Sequence, residues 1–242
     1  MEKIMKHNSL ILKSLLVLSL ATTSMLASEE NDGADEAYVA KITIAPSMSK
    51  KETLAVLDKV LSPFEDMTVY ALDKDLDGMK KGYKNIEKIE DNSLLQQTLP
   101  TDKLKQFSAN IETLETLINN AQYTKVALLS SKMFNDATTN FKYSSKIKEQ
   151  LHIEHLDYMG FRILALLSSE NSNFAQIPDA ISNAKNSWNA IKEKIEDKNK
   201  VEAFDLLFQG LEHSLKTKDI KMLNILAKMD LALVDVVEVV FE

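Results

Sequence analysis

The chain has 242 residues, of which 29 are basic and 36 acidic, and its formal net charge at pH 7 is −7. Because nucleic-acid phosphates attract basic surfaces, this acidic balance argues against a nucleic-acid partner. The sequence contains no cysteine, so we expect no disulfide bond, no thiol nucleophile and no cysteine-linked lipoprotein anchor. Arg162 is the single arginine beside many lysines, a bias typical of AT-rich bacterial genomes.

Residues 1–27 have the order of a secretory signal peptide. Residues 1–13 carry Lys3, Lys6 and Lys13, the run SLLVLSL follows, and small residues then lead to Ala27. The apolar run is much shorter than the ~20 residues that span a bilayer. We therefore expect a cleaved leader, a periplasmic protein and no membrane span in the mature form.

The mature chain divides into a tail and a single domain. Residues 28–47 begin with the acidic run SEENDGADE, which has no apolar period and predicts a flexible tail. The alternating stretch YVAKITIA follows, and a lone strand without a partner favours an extended arm. Residues 48–242 are predicted to form one helical domain.

Helical patterns continue from Pro46 to the end of the chain. Ser49 with Glu52 and Ser62 with Glu65 have capping-box spacing, and Pro63 occupies a favoured first helical position. Apolar residues then recur at steps of three and four in four segments: Val69, Leu72, Leu76, Met79, Tyr83 and Ile86; Leu104, Phe107, Ile111, Leu114 and Ile118; Ile181, Ala184, Trp188, Ile191 and Ile195; Val201, Phe204, Phe208, Leu211 and Leu215. These patterns predict an all-α antiparallel bundle of about six to seven amphipathic helices.

A helical repeat is the alternative arrangement. Trp188 and Phe208 fall near the large positions of a tetratricopeptide unit, but Phe204 and Leu211 stand where that unit needs small residues. The single bundle is therefore favoured.

The run DKDLDG resembles the first half of an EF-hand calcium loop. Such a loop needs an apolar eighth residue and a glutamate at position twelve, but counting from Asp73 these residues are Lys80 and Lys84. The apolar period from Val69 to Ile86 predicts one unbroken helix through the motif. We therefore interpret the aspartates as the solvated side of that helix.

Within residues 148–167, four side chains with ligand chemistry lie on or beside the predicted buried face. On a helical projection centred on Leu156, Glu149, His152 and Met159 turn inward and His155 lies at the rim. Imidazole, thioether and carboxylate groups suit a transition metal, here copper or iron. A complete di-iron site is not expected, because the Glu-x-x-His spacing of Glu149 and His152 occurs only once.

Asp230 lies in the middle of the apolar face of the last helix. A buried carboxyl group requires a partner or a proton, and we expect a hydrogen bond to a histidine or a tyrosine. If His152 is that partner, Glu149, His152 and Asp230 form one polar pocket inside the bundle.

Nothing in the chain matches a catalytic motif: a nucleophile elbow, a phosphate-binding loop and a metalloprotease motif are all missing. The favoured interpretation is an exported, non-enzymatic helical-bundle protein that binds a protein partner or small ligand as an accessory or sensor-like subunit. The alternative is a periplasmic protein that binds or delivers a transition metal through the Glu149, His152, His155, Met159 and Asp230 cluster.

Overall fold

Nine α-helices account for most of the residues that the computed structural model describes, 48–169 and 174–241. Within these ranges 86% of the residues are helical and no strand occurs, which confirms the all-α prediction. The predicted signal peptide and the tail and arm, residues 1–47, lie outside the described residues.

The helices, in chain order, are α1 (Lys50–Leu72), α2 (Leu76–Asp91), α3 (Leu94–Thr98), α4 (Thr101–Asn119), α5 (Tyr123–Thr139), α6 (Lys148–Leu167), α7 (Ile177–Ile191), α8 (Lys198–Thr217) and α9 (Ile220–Glu238). Three single-turn 3-10 helices cover Ser144–Lys146, Phe174–Gln176 and Lys192–Lys194. The described part of the chain thus has more helices than the six to seven predicted, partly because α3 is a five-residue turn.

The first predicted helix start is confirmed and the second is wrong. Ser49 and Glu52 form a reciprocal capping box at the start of α1. Pro63 lies inside α1, and the Ser62 hydroxyl donates a hydrogen bond to Asp58 Oδ1 at 2.7 Å instead of capping a new helix. The helix continues because its buried apolar face runs on both sides of the proline.

The predicted unbroken helix through DKDLDG is also wrong. The helix α1 ends at Leu72, Lys74 adopts a left-handed conformation with φ 57°, and Asp75 caps α2 by accepting a hydrogen bond from the Gly78 amide at 2.9 Å. This turn folds α2 back against α1, where Met79 and Ile86 become fully buried. The apolar period survives the break because both helices face the same core.

Two hydrophobic clusters form the core, and α6 contributes to both. Helices α1–α5 build the first, in which Phe64 and Phe107 meet edge to face at 5.3 Å between centroids. Helices α6–α9 build the second, in which Trp188 stacks on Phe204 at 4.5 Å. The apolar patterns predicted for α4, α7 and α8 supply much of this core, so their helical assignment is confirmed. No helix in the described ranges combines the length and apolar character needed to cross a bilayer.

Candidate functional site

The helix α6 is the central element of the described chain. It packs against α1, α5, α7 and α9, and 13 of its 20 residues are buried. A polar side chain on α6 therefore meets protein on almost any face, and the residues predicted to carry chemistry are enclosed by different neighbours.

Glu149 contacts a lysine at the edge of the bundle. Its carboxylate accepts a hydrogen bond from Lys194 Nζ at 2.5 Å, and its side chain is 34% exposed. That hydrogen bond is the main reason why the pKa of Glu149 is lowered. The group is thus a charged surface partner of the turn after α7.

His152 and His155 are half-buried neighbours on the next turns of α6. Burial is the main cause that lowers the pKa of His152, with the Lys148 charge second. Burial, followed by the charge of His152, lowers the pKa of His155 to about 4. Both imidazoles are therefore neutral at pH 7, and His152 Nδ1 makes no hydrogen bond with any described residue.

Met159 and Asp230 lie deeper in the bundle. Met159 is fully buried in the second cluster, where a flexible thioether fills space between aliphatic side chains. Asp230 is also fully buried and faces Gly160, where an added β-carbon would lie 2.8 Å from Asp230 Oδ2. Asp230, on α9, therefore contacts α6 at the residue that directly follows Met159.

Asp230 lacks the predicted partner. Neither carboxyl oxygen makes a hydrogen bond of ordinary geometry with a described residue, so the expected bond to a histidine or tyrosine is wrong. Burial raises the pKa of Asp230 well above its usual value, and the nearby Gly160 amide opposes this shift only in part. Because Gly160 follows His152 by eight residues, the two positions are separated by ~12 Å along α6. The predicted residues therefore occupy two regions.

A group of buried acids on α1 and α6 was not predicted. Ligand oxygens of Glu65, Glu154 and Asp157 all lie within 4.8 Å of one another. The Gln150 amide links this group to α9 by donating hydrogen bonds to Glu154 at 3.1 Å and to Glu238 at 2.7 Å. The one available signal was that α6 carries apolar residues on every side, which implies that its acids are also enclosed.

A groove of about 350 Å³ opens between α1, α6 and α9. Six apolar side chains line it, namely Val69, Leu72, Phe161, Leu164, Leu167 and Leu231, together with four polar ones, Asp73, Ser168, Asn224 and Lys228. Val69 is 42% exposed, so part of the apolar wall faces solvent. A concave apolar wall beside hydrogen-bonding groups is the usual composition of a ligand site.

Comparison of the chain with protein-family models, with curated proteins and with solved structures finds no match. Among the described residues, the groove offers space that a ligand can enter, and the N-terminal half of α6 offers His152 Nδ1, which makes no hydrogen bond there.

Proposed function

We propose that this chain is an exported, non-enzymatic antiparallel helical bundle that binds a ligand in the groove between α1, α6 and α9. The observation that carries the proposal is the groove itself, whose apolar wall is open to solvent beside polar side chains. Exposed apolar concavities of this kind favour small ligands or side chains of a partner. The role is that of an accessory or sensor-like subunit.

The lining residues suggest what the groove binds. Phe161, Leu164 and Leu231 offer contacts for an apolar body, while Lys228 and Asn224 offer donors for a polar end. The volume of about 350 Å³ lies in the lower part of the usual range for small-molecule pockets. An aliphatic chain with a single anionic group, or an equivalent segment of a partner protein, fits this combination.

Decanoate is a suitable probe for this site. We expect it to shift backbone amide resonances of groove residues in a titration followed by NMR, and we expect Val69→Trp, which fills the groove, to weaken binding at least tenfold. Leu206→Trp is the matched control, because Leu206 is an exposed apolar residue of α8 that does not line the groove. Equal affinity in both variants would place binding elsewhere.

Export rests on the leader-like order of residues 1–27. Expression of the full chain in a Gram-negative host should yield a periplasmic protein whose first residue is Ser28 or lies near it. N-terminal sequencing of that fraction tests the proposal, and a cytoplasmic protein that retains Met1 would contradict it.

A transition-metal site on α6 is the second candidate function. It is favoured by two neighbouring neutral imidazoles, His152 and His155, of which His152 has an unpartnered Nδ1. Copper, iron and zinc should be quantified after purification without chelators, beside His152→Ala. His213→Ala, on the exposed face of α8, is the control. About one metal per chain, lost only in His152→Ala, would support this function over the groove.

A further inference from the structure

A second apolar face of α9 points to solvent. Ile225, Met229 and Val239 are 53%, 46% and 59% exposed, and their neighbours on this face are similarly open. The full set, which we call the α9 seam, is Met222, Ile225, Met229, Ala232, Val236 and Val239. Its members recur at steps of three and four, from Met222 in the first turn of α9 to Val239, which directly follows the last residue of the helix.

This seam is separate from the face of α9 that belongs to the core. Leu223, Ala227, Asp230, Val234 and Val237 are buried against the rest of the bundle, whereas the seam lies on the other side of the helix. A steady alternation of three and four is the spacing by which two helices pack in a coiled coil. The seam therefore fits a second helix of the same length.

We propose that the seam binds the α9 seam of a second copy of this chain, with the two helices antiparallel. In this register Met222 meets Val239 of the second copy, Ile225 meets Val236, and Met229 meets Ala232. The larger residues occupy the first half of α9 and the smaller ones the second half, so every layer combines a large with a small side chain. A parallel pair would instead stack Met229 on Met229 and Ala232 on Ala232.

Charge at the edge of the seam favours the same orientation. Lys228 and Asp235 are both exposed and lie on one side of the seam. The antiparallel register places Lys228 of each copy opposite Asp235 of the other, so that the two-fold axis generates two attractive pairs. A parallel pair would bring Lys228 beside the apolar Leu233 of the second copy.

Disulfide trapping tests the orientation, because the native sequence has no cysteine to interfere. Full-length Met222→Cys and Val239→Cys proteins are prepared separately, mixed while reduced, and then oxidised. The proposal expects cross-linked dimers between the two different variants and almost none within either variant alone. Cross-linking of each variant with itself would overturn the antiparallel arrangement.

Solution mass tests the interface itself. The full chain should have twice its monomer mass by light scattering, and Met229→Asp should raise the dimer dissociation constant at least tenfold, whereas Leu206→Asp on α8 should leave it unchanged. Lys228→Asp or Asp235→Lys alone should weaken the dimer, and the double variant should restore it. A monomeric full chain would overturn the proposal, including one that dimerises only after removal of residues 1–47. A dimer whose dissociation constant is unchanged by Met229→Asp would also overturn the proposal.

Discussion

Asp230 on α9 lies directly against Gly160 on α6, with no space for a β-carbon between the carboxyl oxygen and the opposing backbone. The carboxyl group is fully buried and has no hydrogen bond of ordinary geometry to a described residue. An ionised carboxylate in such surroundings costs several kcal/mol. The contact therefore places a carboxyl group, whose pKa is raised by burial, at a point where α6 and α9 are tightly packed.

Replacement of Asp230 by asparagine should stabilise the protein at neutral pH. The pKa of Asp230 is raised in the folded state by burial, so the unfolded chain releases this proton at a lower pH than the folded chain does. The stability associated with the group is fully present below pH ~4 and is lost as the pH rises toward its folded pKa. Asp230→Asn removes this loss, and we expect it to raise the free energy of unfolding by about 1–3 kcal/mol at pH 7.

Urea unfolding at a series of pH values measures that difference, which should shrink toward zero near pH 4. Glu202→Gln on α8 provides the control, because it removes an acidic group that is exposed. An Asp230→Asn effect that is the same at pH 4 and pH 7 would show that proton uptake is not its cause.

Gly160→Ala should separate α6 from α9. The new β-carbon would lie 2.7 Å from Leu231 Cδ2 and 2.8 Å from Asp230 Oδ2, which is closer than packed atoms tolerate. We expect a loss of about 1–3 kcal/mol in the free energy of unfolding, as is typical of overpacking. Gly82→Ala on α2 is the matched control, because its β-carbon would meet the side chains of Tyr70 and Met67 only at 3.3 Å or more. Equal urea midpoints for the two variants would contradict the close contact.

Most helices were predictable from the sequence, but the break between α1 and α2 and the alignment of α9 with α6 were not. The 3.6-residue period of Phe107 and Ile111 on α4 reflects burial on one face, which a single helix records. The break at Lys74 left no trace in that period, because α1 and α2 bury their apolar residues in the same core. The burial of Asp230 was predicted correctly, but its neighbour Gly160 depends on how α9 aligns with α6. No pattern within one helix specifies that alignment.

The same limit explains the missed acids. A helical projection centred on Leu156 assumes one buried side, so it gives no reason to expect that Glu154 and Asp157 are enclosed. Contacts of α6 with four other helices remove that assumption. The number of neighbours around a helix is a tertiary property, and it decides whether a carboxylate is hydrated or enclosed.

Asp75→Ala should destabilise the protein without involving calcium. The side chain of Asp75 satisfies the Gly78 amide at the start of α2, and loss of such a cap costs about 1 kcal/mol. We expect the midpoint of thermal unfolding of the native protein to be the same with millimolar calcium and with a chelator. The reason is that Lys80 and Lys84 stand where an EF-hand loop has its apolar eighth residue and its twelfth-position glutamate. Asp77→Ala is the control, since Asp77 does not cap α2. A calcium-dependent midpoint in the native protein that disappears in Asp75→Ala would contradict the prediction that calcium is not involved.

His155 should make the protein less stable in mild acid. Its effect on the free energy of unfolding runs opposite to that of Asp230, because burial lowers the pKa of His155 and raises the pKa of Asp230. Burial lowers the pKa of His155 from 6.5 to about 4, so the unfolded chain takes up a proton at a higher pH than the folded chain does. The stability that His155 contributes is fully present above pH ~6.5 and is lost as the pH falls toward 4.

His155→Gln should flatten this part of the stability profile by about 1–2 kcal/mol. His213→Gln, at an exposed position of α8, is the control substitution. NMR titration of the imidazole Cε1 proton of His155 measures its pKa directly, and a value near 6.5 would show that burial does not hold this side chain neutral.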